Sequence, residues 1–380
     1  MPGKYLEGLE GQDCRRCKEK KADLVVRREP LCQECFIKYV NTKAIKKMES
    51  FRVRHSAPDQ QRKILLPLSL GVSSLSLLHI LDRQLRSQTH KSGRTGFALV
   101  VVYVDESQIN ESGPSRDLLA QVRGRYPDHE YATVLLQDLF RLIPADDPLL
   151  RLLPDQNLEN ERTPLDHLVA LMNSLSWPTA RADIIPILRT RLLVEQAKQS
   201  ACEAVVWGDT TTRLAEKTFS ETAKGRGFSL PWQISDGESP FGITFNYPMR
   251  DLLKKELFAY ADFLDPPLSP LIHDAGPSPS SMNSKTTTID DVMKQYFESA
   301  ENFPNYIANV VTTTSKLEAK AISPTDPRCA LCSMPVADGR FGNHGWGGYQ
   351  QDGSANSSSS NTPGLCYGCT RTVSVKSQQS

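Results

Sequence analysis

Residues 63–74 read Lys63-Ile64-Leu65-Leu66-Pro67-Leu68-Ser69-Leu70-Gly71-Val72-Ser73-Ser74, an apolar run that gives way to small residues. The run has the composition of a buried strand, and the small residues are typical of a turn. The leucines that follow recur at steps of three and four, on one helical face: Leu75, Leu78, Leu81 and Leu85. Ser73 or Ser74 can cap this helix, whose first N–H groups can bind an anion. The stretch therefore predicts a strand, a turn and a helix, either with an anion site at the turn or as an ordinary connection.

Further candidate strands and helices alternate through the middle of the chain. The candidate strands are residues 97–105, 131–136 and 204–209, and the candidate helices are residues 116–124 and 180–200. The strands are rich in apolar and β-branched side chains, as expected where both faces of a sheet are covered. This pattern predicts an α/β fold with a doubly wound parallel sheet. Ligands of such sheets bind beyond the carboxyl ends of the strands, so we expect the Ser69 turn, Asp105 and Asp209 to converge there.

Two segments interrupt the alternation. Residues 137–165 contain four prolines and no steady hydrophobic period, and we interpret them as a surface excursion. After a helical pattern at residues 252–263, a stretch rich in proline and serine predicts a linker, and a helical pattern resumes from residue 289 to about residue 320.

The chain is long enough, at 380 residues, for two or three domains. Its net charge of +1 hides an asymmetry, because residues 1–63 carry 16 lysines and arginines against 9 acidic residues. No apolar run approaches the ~20 residues that a membrane-spanning helix needs, and the first ten residues lack the apolar segment of a secretory signal. We therefore expect a cytoplasmic protein with a basic N-terminal region and no membrane contact.

Eight of the nine cysteines fall into four CxxC pairs. Fourteen residues separate the two N-terminal pairs and thirty-three separate the two C-terminal pairs. The pairs are Cys14 and Cys17, Cys32 and Cys35, Cys329 and Cys332, and Cys366 and Cys369. This spacing predicts two structural zinc sites with four thiolate ligands each, the N-terminal one more strongly, and His344 is an alternative ligand at the C-terminal site. Cys202 stands alone in an apolar stretch, as a core cysteine does.

Cations surround the first zinc site. Arg15, Arg16 and Lys18 lie between or just after its ligands, with aromatic residues interleaved in the segment that follows. This mixture predicts RNA binding through phosphate contacts and stacking. A solvated charged surface is the alternative.

Three motifs resemble those of the ATP-dependent tRNA thiolases. The Ser69 turn resembles their pyrophosphatase loop, Ser-Gly-Gly-x-Asp-Ser, with Leu70 in place of the first glycine and Ser73 in place of the aspartate. Residues 207–218 resemble their Gly-His-Asn-x-x-Asp signature, with Asp209 in the histidine position. Residues 224–228 resemble their Gly-Arg-Gly segment, a flexible basic loop that can grip phosphate.

The order of these motifs, together with both cysteine sets, resembles the cytoplasmic tRNA 2-thiolation protein 2 family over nearly the whole chain. The resemblance implies an adenine nucleotide alpha hydrolase-like sheet domain and a role in placing sulfur on the wobble uridine of tRNA. It implies three partners: a catalytic thiolase paralogue, tRNA and a thiocarboxylated ubiquitin-like sulfur carrier. It also implies a degenerate ATP loop at Ser69, Gly71, Ser73 and Ser74. Lys224 and Arg226 are implied to contact tRNA.

These observations divide the chain into four parts. We predict a zinc ribbon with a basic region at residues 1–55, the α/β domain at 56–265, a linker and helical segment at 266–323, and a second zinc module at 324–380. Three functions remain open at this point. The chain is a scaffolding and tRNA-binding subunit without catalytic residues, an ATP-dependent tRNA sulfurtransferase in its own right, or a zinc-dependent interaction protein with no tRNA role.

Overall fold

The computed structural model describes residues 11–57, 61–109, 116–154, 162–273, 286–319, 321, 323, 325–336, 341–342 and 364–373. The strands are β1 Leu24–Val26, β2 Glu29–Leu31, β3 Lys63–Pro67, β4 Ala98–Asp105, β5 Glu130–Leu135, β6 Ala204–Val206, β7 Gly237–Glu238 and β8 Thr244–Asn246. The helices are α1 Gln33–Lys47, α2 Val72–Ser92, α3 Arg116–Arg125, α4 Leu139–Leu142, α5 Pro164–Ser174, α6 Pro178–Gln199, α7 Thr211–Ala223, α8 Leu230–Ile234, α9 Lys254–Phe263, α10 Ile289–Ser299, α11 Pro304–Thr314 and α12 Tyr367–Thr372. None of the described helices is long and apolar enough to cross a membrane.

Strand β3 lies near the centre of the main sheet, whose order is β5-β4-β3-β6-β8-β7. Its neighbours β4 and β6 both run parallel to it, with Leu65 paired to Val100 on one side and to Val205 on the other. The chain builds the sheet outward from β3 to β5, then returns to place β6 on the other side of β3. This order confirms the predicted doubly wound sheet, and the reversal of direction between β3 and β6 is where such sheets bind ligands.

Alternate residues of the strands supply two separate cores. Ile64 and Leu66 face a core that α1, α2, α3 and α9 cover, whereas Leu65 faces a core that α4 to α8, α10 and α11 cover. Because successive strand side chains point to opposite faces, a continuous apolar run serves both cores at once. The N-terminal cysteines belong to the first core and the C-terminal cysteines to the second. The two cysteine modules therefore lie on opposite faces of the sheet.

The interpretation of residues 137–165 as a surface excursion is wrong. Its described residues form α4, a 3-10 turn and the start of α5, and they bury Leu139, Leu149 and Leu153 in the second core. The prolines interrupt the helices but not the packing, since Pro148 and Pro164 each lie in the first turn of a helix, where no N–H bond is lost. The segment is thus part of the sheet's cover.

Candidate functional site

The N-terminal cysteines converge on one point. Cys14 and Cys17 lie on a turn before the β1–β2 hairpin, Cys32 directly precedes α1, and Cys35 lies in its first turn. Their sulfur atoms all lie within 4.8 Å of one another, with Cys17 Sγ 3.8 Å from Cys32 Sγ. Zinc with Zn–S bonds of ~2.3 Å holds tetrahedral sulfurs about 3.8 Å apart. The four thiols therefore have the spacing of a single tetrahedral metal site.

Exposed cations lie beside this module. Arg15, Arg16 and Lys18 are all exposed, and the Arg16 guanidinium lies 5.0 Å from the centre of the Tyr39 ring. A groove of about 760 Å³ runs along α1, and its cationic lining residues are Arg16, Lys38, Lys43, Lys46 and Lys47. The three predicted tRNA-binding cations of the N-terminal region thus face solvent, and Arg16 joins them to a longer basic surface.

The C-terminal cysteines repeat the same construction. Cys329 and Cys332 lie in a turn that an Arg328–Pro335 bridge closes, Cys366 directly precedes α12, and Cys369 lies within that helix. Their sulfurs also lie within 4.8 Å of one another. All four residues are buried. The structure thus brings together a second set of four ligands, while His344 lies outside the described residues.

The buried Arg191 of α6 attaches this module to the α/β domain. Its guanidinium donates to the carbonyl oxygens of Ala330 (3.3 Å) and Leu331 (3.2 Å), inside the first C-terminal CxxC, and to the Asp147 carboxylate (2.6 Å). A buried cation needs such partners, because an unpaired charge in a core is costly. Arg191 therefore couples the second cysteine module to the second core.

The turn after β3 is closed by its own serines. The N–H of Ser69 donates to Ser74 Oγ (3.3 Å), and the N–H of Gly71 donates to Ser69 Oγ (3.4 Å). The hydroxyl of Ser74 donates in turn to the Gly71 carbonyl (3.1 Å). These contacts occupy two N–H groups that an anion in a nucleotide loop would use. Ser73 is half-buried beside them.

Leu70 explains how this turn keeps its shape without a first glycine. Its φ of +60° lies in the left-handed region, which costs a residue with a side chain about 1–2 kcal/mol. Its side chain is fully buried in the first core, and burying a leucine contributes about 1.5–3 kcal/mol. Burial thus offsets the strain. The branched side chain points into the core and does not fill the turn.

The turn after β6 lies against the Ser69 turn. A Cβ atom added at Gly208 would lie only 3.2 Å from the backbone nitrogen of Ser74, so this close approach favours glycine. Asp209, the next residue, lies 4.0 Å from the Lys217 amine through its carboxylate. Gly208, just beyond the carboxyl end of β6, therefore packs directly against the Ser69 turn.

Polar groups at this end of the sheet have partners within the chain. Thr210 Oγ1 accepts from the N–H of the third residue of α7, and Thr212 Oγ1 accepts from the N–H of Lys254 (3.3 Å). Asp105, at the end of β4, accepts from the N–H two residues later (2.9 Å). Thr212 therefore stabilises the contact between α7 and α9.

The description of residues 224–228 as a flexible basic loop is wrong. The Arg226 guanidinium is buried and donates to Asp183 (2.6 and 2.7 Å) and to Glu221 (2.7 Å). Lys224 is nearly buried and pairs with Asp183 (2.7 Å) and with Asp290 of α10 (2.6 Å). These cations are held inside the protein because the acidic residues nearby compensate their charge, so neither presents its charge to solvent.

The C-terminal helix closes over the same cluster. Thr372 donates to Asp183 (2.8 Å), and the ring of Tyr367 covers Gly225, where an added Cβ would lie 2.4 Å from the ring. Burial alone would raise the pKa of Asp183, but Arg226 and Lys224 hold it well below its ordinary value. Asp183 is therefore a carboxylate that joins α6, α7 and α12.

Cys202 lies at the opposite end of the sheet from the Ser69 turn. It lies two residues before β6, whereas Gly208 lies two residues after that strand, and six residues of extended chain span about 20 Å. Burial raises the pKa of the Cys202 thiol to about 11, which disfavours the reactive thiolate. All nine cysteines lie among the described residues, and eight of them belong to the two clusters. The ninth, Cys202, lies away from the carboxyl ends of β3 and β6.

Sequence reasoning missed the buried charges that hold the modules together. Arg191, Asp183 and Asp147 belong to no recognised motif, and their partners lie 40 or more residues away along the chain. The pairing depends on tertiary structure alone. The weak signal that existed was the presence of charged residues in an otherwise helical apolar pattern at residues 180–200.

Comparison with known proteins gives one family. The family model for cytoplasmic tRNA 2-thiolation protein 2 matches residues 288–344. The protein of that name from Phaeosphaeria nodorum is 55% identical over 377 residues, covering 98% of this chain and 97% of the relative. The one from Pyrenophora tritici-repentis is 52% identical over 376 residues, with the same coverage of both chains. The relatives' name also confirms the predicted cytoplasmic location.

A solved structure shares the fold. It is the U34-tRNA thiolase NcsA from Methanococcus maripaludis with its [4Fe-4S] cluster, with a TM-score of 0.56 over 90% of this chain and 97% of that one. Identity is 16%, so the similarity shows the fold alone. That fold agrees with the predicted nucleotide hydrolase-like sheet domain.

Proposed function

The chain belongs to the cytoplasmic tRNA 2-thiolation protein 2 family, and we propose that it is the tRNA-binding and scaffolding subunit of a cytosolic tRNA-thiolation complex. Its partner in this proposal is a catalytic thiolase paralogue. That paralogue transfers sulfur from a thiocarboxylated ubiquitin-like carrier to the wobble uridine. The observation that supports a non-catalytic role most strongly is the set of side chains at the carboxyl end of the sheet, which does not match what catalysis requires.

Catalysis at that end would require three kinds of group. Nucleotide binding needs free N–H groups, yet Ser69 and Gly71 direct theirs to serine hydroxyls of the same turn. A metal-facing carboxylate is absent at Ser73, the position of the motif's aspartate. Sulfur delivery needs a reactive thiol, and Cys202 lies at the other end of β6. Loss of a single electrostatic donor typically costs ~10²–10³ in rate, so the combined loss favours a scaffold over an enzyme.

The donor chemistry of both cysteine clusters fits structural zinc. In each cluster, the four sulfurs lie within 4.8 Å of one another, which is the spacing of ligands around one ion. A [4Fe-4S] cluster would have to place eight more atoms between the same four sulfurs, so this spacing does not suit it. Zinc bound here would supply folding energy and hold the CxxC turns on the following helices.

The exposed N-terminal cations support tRNA binding. Arg15, Arg16 and Lys18 are exposed to solvent, where phosphates can reach them, and Arg16 also lines the groove along α1. Lys224 and Arg226 have internal partners instead, so we reassign these two residues from tRNA binding to holding the C-terminal module. ATP binding at Ser69, Gly71, Ser73 and Ser74 is not part of the proposal.

The test is a reconstituted thiolation reaction. The full chain, the thiolase paralogue, the thiocarboxylated carrier, ATP and tRNA are combined, and 2-thiouridine is measured by mass spectrometry of nucleosides. We expect Ser73→Ala and Cys202→Ala chains to support thiolation nearly as well as the unaltered chain, and omission of the chain to abolish it. Conversion of ATP to pyrophosphate by the isolated chain with tRNA, or loss of thiolation in a folded Cys202→Ala complex, would show that the chain is an enzyme.

A further inference from the structure

An exposed apolar surface runs along α10 and into α11. Ile289, Val292 and Tyr296 recur at steps of three and four on α10 and are all exposed, and Phe303 and Tyr306 at the start of α11 continue them. The hydroxyls of Tyr296 and Tyr306 lie 3.0 Å apart, which joins the two helices. We call these five residues the apolar stripe. Single exposed apolar residues are ordinary, but a contiguous set rich in aromatic residues marks an interaction site.

The stripe rests on a firmly held platform. On its inner side, Phe297 is fully buried, and its ring packs edge-to-face against Phe219 of α7, with centres 5.4 Å apart. The first turn of α10 is held by Asp290, which pairs with Lys224. The exposed side chains are therefore presented by helices fixed to the α/β domain, and rigid presentation lowers the entropic cost of binding.

The surface extends beyond α10 at its N-terminal end. A groove of about 380 Å³ lies between α10, α12 and the start of α6, and both Ile289 and Trp177 line it. Trp177 is 66% exposed, which is unusual for so large an apolar side chain. Trp, Tyr and Phe are the residues that dominate binding energy in protein interfaces. The stripe and this groove together have the composition of a protein-binding surface.

Charge indicates which kind of partner fits. Within the described residues 286–319 there are five acidic residues and two lysines, and four acidic residues remain when Asp290, which pairs with Lys224, is set aside. This excess of negative charge repels the phosphates of tRNA, which separates the stripe from the basic groove along α1. It also disfavours a second copy of this chain, because a two-fold contact would bring the same acidic segment against itself.

We propose that the apolar stripe docks a protein subunit that presents an apolar face bordered by lysines and arginines. This proposal rests on the proposed function, and it assigns the stripe to the catalytic thiolase subunit of the same complex. The stripe lies within residues 288–344, the part that matches the family model, so the family-defining segment itself carries the contact.

The experiment measures binding of the purified catalytic subunit to the full chain. Val292→Glu places a charge in the centre of the stripe and is expected to weaken the complex about 10- to 30-fold, as for an interface hot spot. Val169→Glu is the matched control, since Val169 on α5 is 41% exposed, Val292 is 46% exposed, and Val169 lies outside the stripe. Glu298→Lys is expected to slow association and to reverse its salt dependence in part.

Each outcome decides between alternatives. Equal binding by Val292→Glu and Val169→Glu overturns the stripe proposal alone, whereas failure of the unaltered chain to form any complex overturns the proposed function. A homodimer that Val292→Glu dissociates would show that a second copy is the occupant. A larger fall in thermal stability of the free Val292→Glu chain than of Val169→Glu would show that the chain covers the stripe itself. Protection of α10 from hydrogen exchange by tRNA would show that tRNA is the occupant.

Discussion

The two cysteine modules are built alike but placed differently. In both, the first CxxC lies in a turn and the second begins a helix, α1 or α12. At the N-terminus, Cys17 and Cys35 remain half-exposed and exposed cations surround them. At the C-terminus all four cysteines are buried, and Arg191 donates to the backbone of their first turn.

The difference teaches that ligand spacing alone does not reveal what a four-cysteine module does. On one face of the sheet, a partly exposed set of four thiols holds a turn that carries exposed cations. On the other face, a buried set of four thiols holds the C-terminal segment against the α/β domain. The neighbours decide the role: exposed cations favour an external anionic partner, whereas buried and compensated cations such as Arg226 favour internal cohesion.

The largest effect is expected from the cysteines themselves. Elemental analysis should find about two zinc ions per chain, and Cys366→Ala and Cys35→Ala should each retain one. Structural zinc contributes ~10–16 kcal/mol in zinc-finger peptides. Because Cys366 lies within the second core, its loss should strongly lower the thermal stability of the α/β domain, whereas Cys35→Ala should mainly loosen the N-terminal module. Thermal unfolding with both variants checks this order. Equal destabilisation of the chain by the two substitutions would mean that the two modules contribute equally to the stability of the α/β domain.

A smaller effect is expected at the buried charge cluster. Arg226→Met leaves Asp183 and Glu221 without their main partner, and breaking a buried ion pair on one side costs about 3–5 kcal/mol. Arg189→Met is the control, because its bidentate pair with Glu106 is half-exposed and such pairs contribute about 0–1 kcal/mol. Urea unfolding gives both free energies. If Arg226→Met were stable but bound tRNA poorly, the phosphate-gripping interpretation of this segment would be restored.

The sheet was predictable because its signal is local. A strand buried on both faces must be apolar along its whole length, so β3, β4 and β6 are visible as runs of aliphatic residues. The cysteine clusters were predictable for a similar reason, since CxxC spacing is set by one turn of backbone around one metal. The position of the candidate site, beyond the carboxyl ends of the strands, was predictable from the alternation of strands and helices along the chain.

The errors arose where a residue's partner is distant. Lys224 and Arg226 look like solvent-facing cations in sequence, because the acidic residues that hold them lie in α6 and α10. Residues 137–165 looked like a loop because α4 and its neighbours are too short to show a period. Leu70 stands where the motif has a glycine, and its left-handed backbone, which the sequence does not show, directs the side chain into the core. Tertiary structure decides each case.

The contrast between the two cysteine modules also predicts which cations contribute to the affinity for tRNA. Replacing Arg15, Arg16 and Lys18 together by glutamine should reduce affinity about 10- to 100-fold near physiological salt, and should flatten the log–log salt dependence by about 0.7–0.9 per lost phosphate contact. Lys91, Arg94 and Lys198 are also exposed and supply a matched triple glutamine control. Filter binding of tRNA at several salt concentrations measures both quantities. An unchanged slope in the first variant would mean that the N-terminal cations form only a solvated surface.

The smallest effect is expected at His79. Its titration should distinguish the two faces of the sheet by the pH at which each face loses stability. Burial, assisted by Arg83 and Arg125, lowers the pKa of His79 to about 4, while its Nδ1 lies 3.0 Å from the Tyr126 hydroxyl. An unfolded histidine titrates near pH ~6.5, so between these values the unfolded chain binds the extra proton. The free energy of unfolding should therefore fall as pH drops from about 6.5 towards 4.

Urea unfolding at pH 7 and pH 5 should show a loss of about 2 kcal/mol from this group in the unaltered chain and a smaller loss in His79→Phe. His90→Phe, on the exposed side of the same helix, is the control and should behave like the unaltered chain. Asp183 on the other face acts in a lower window, because its lowered pKa keeps it ionised until the pH falls below the value of an unfolded aspartate. The face with the N-terminal module should therefore weaken first on acidification. If His79→Phe retained the full loss between pH 7 and pH 5, that order would be wrong.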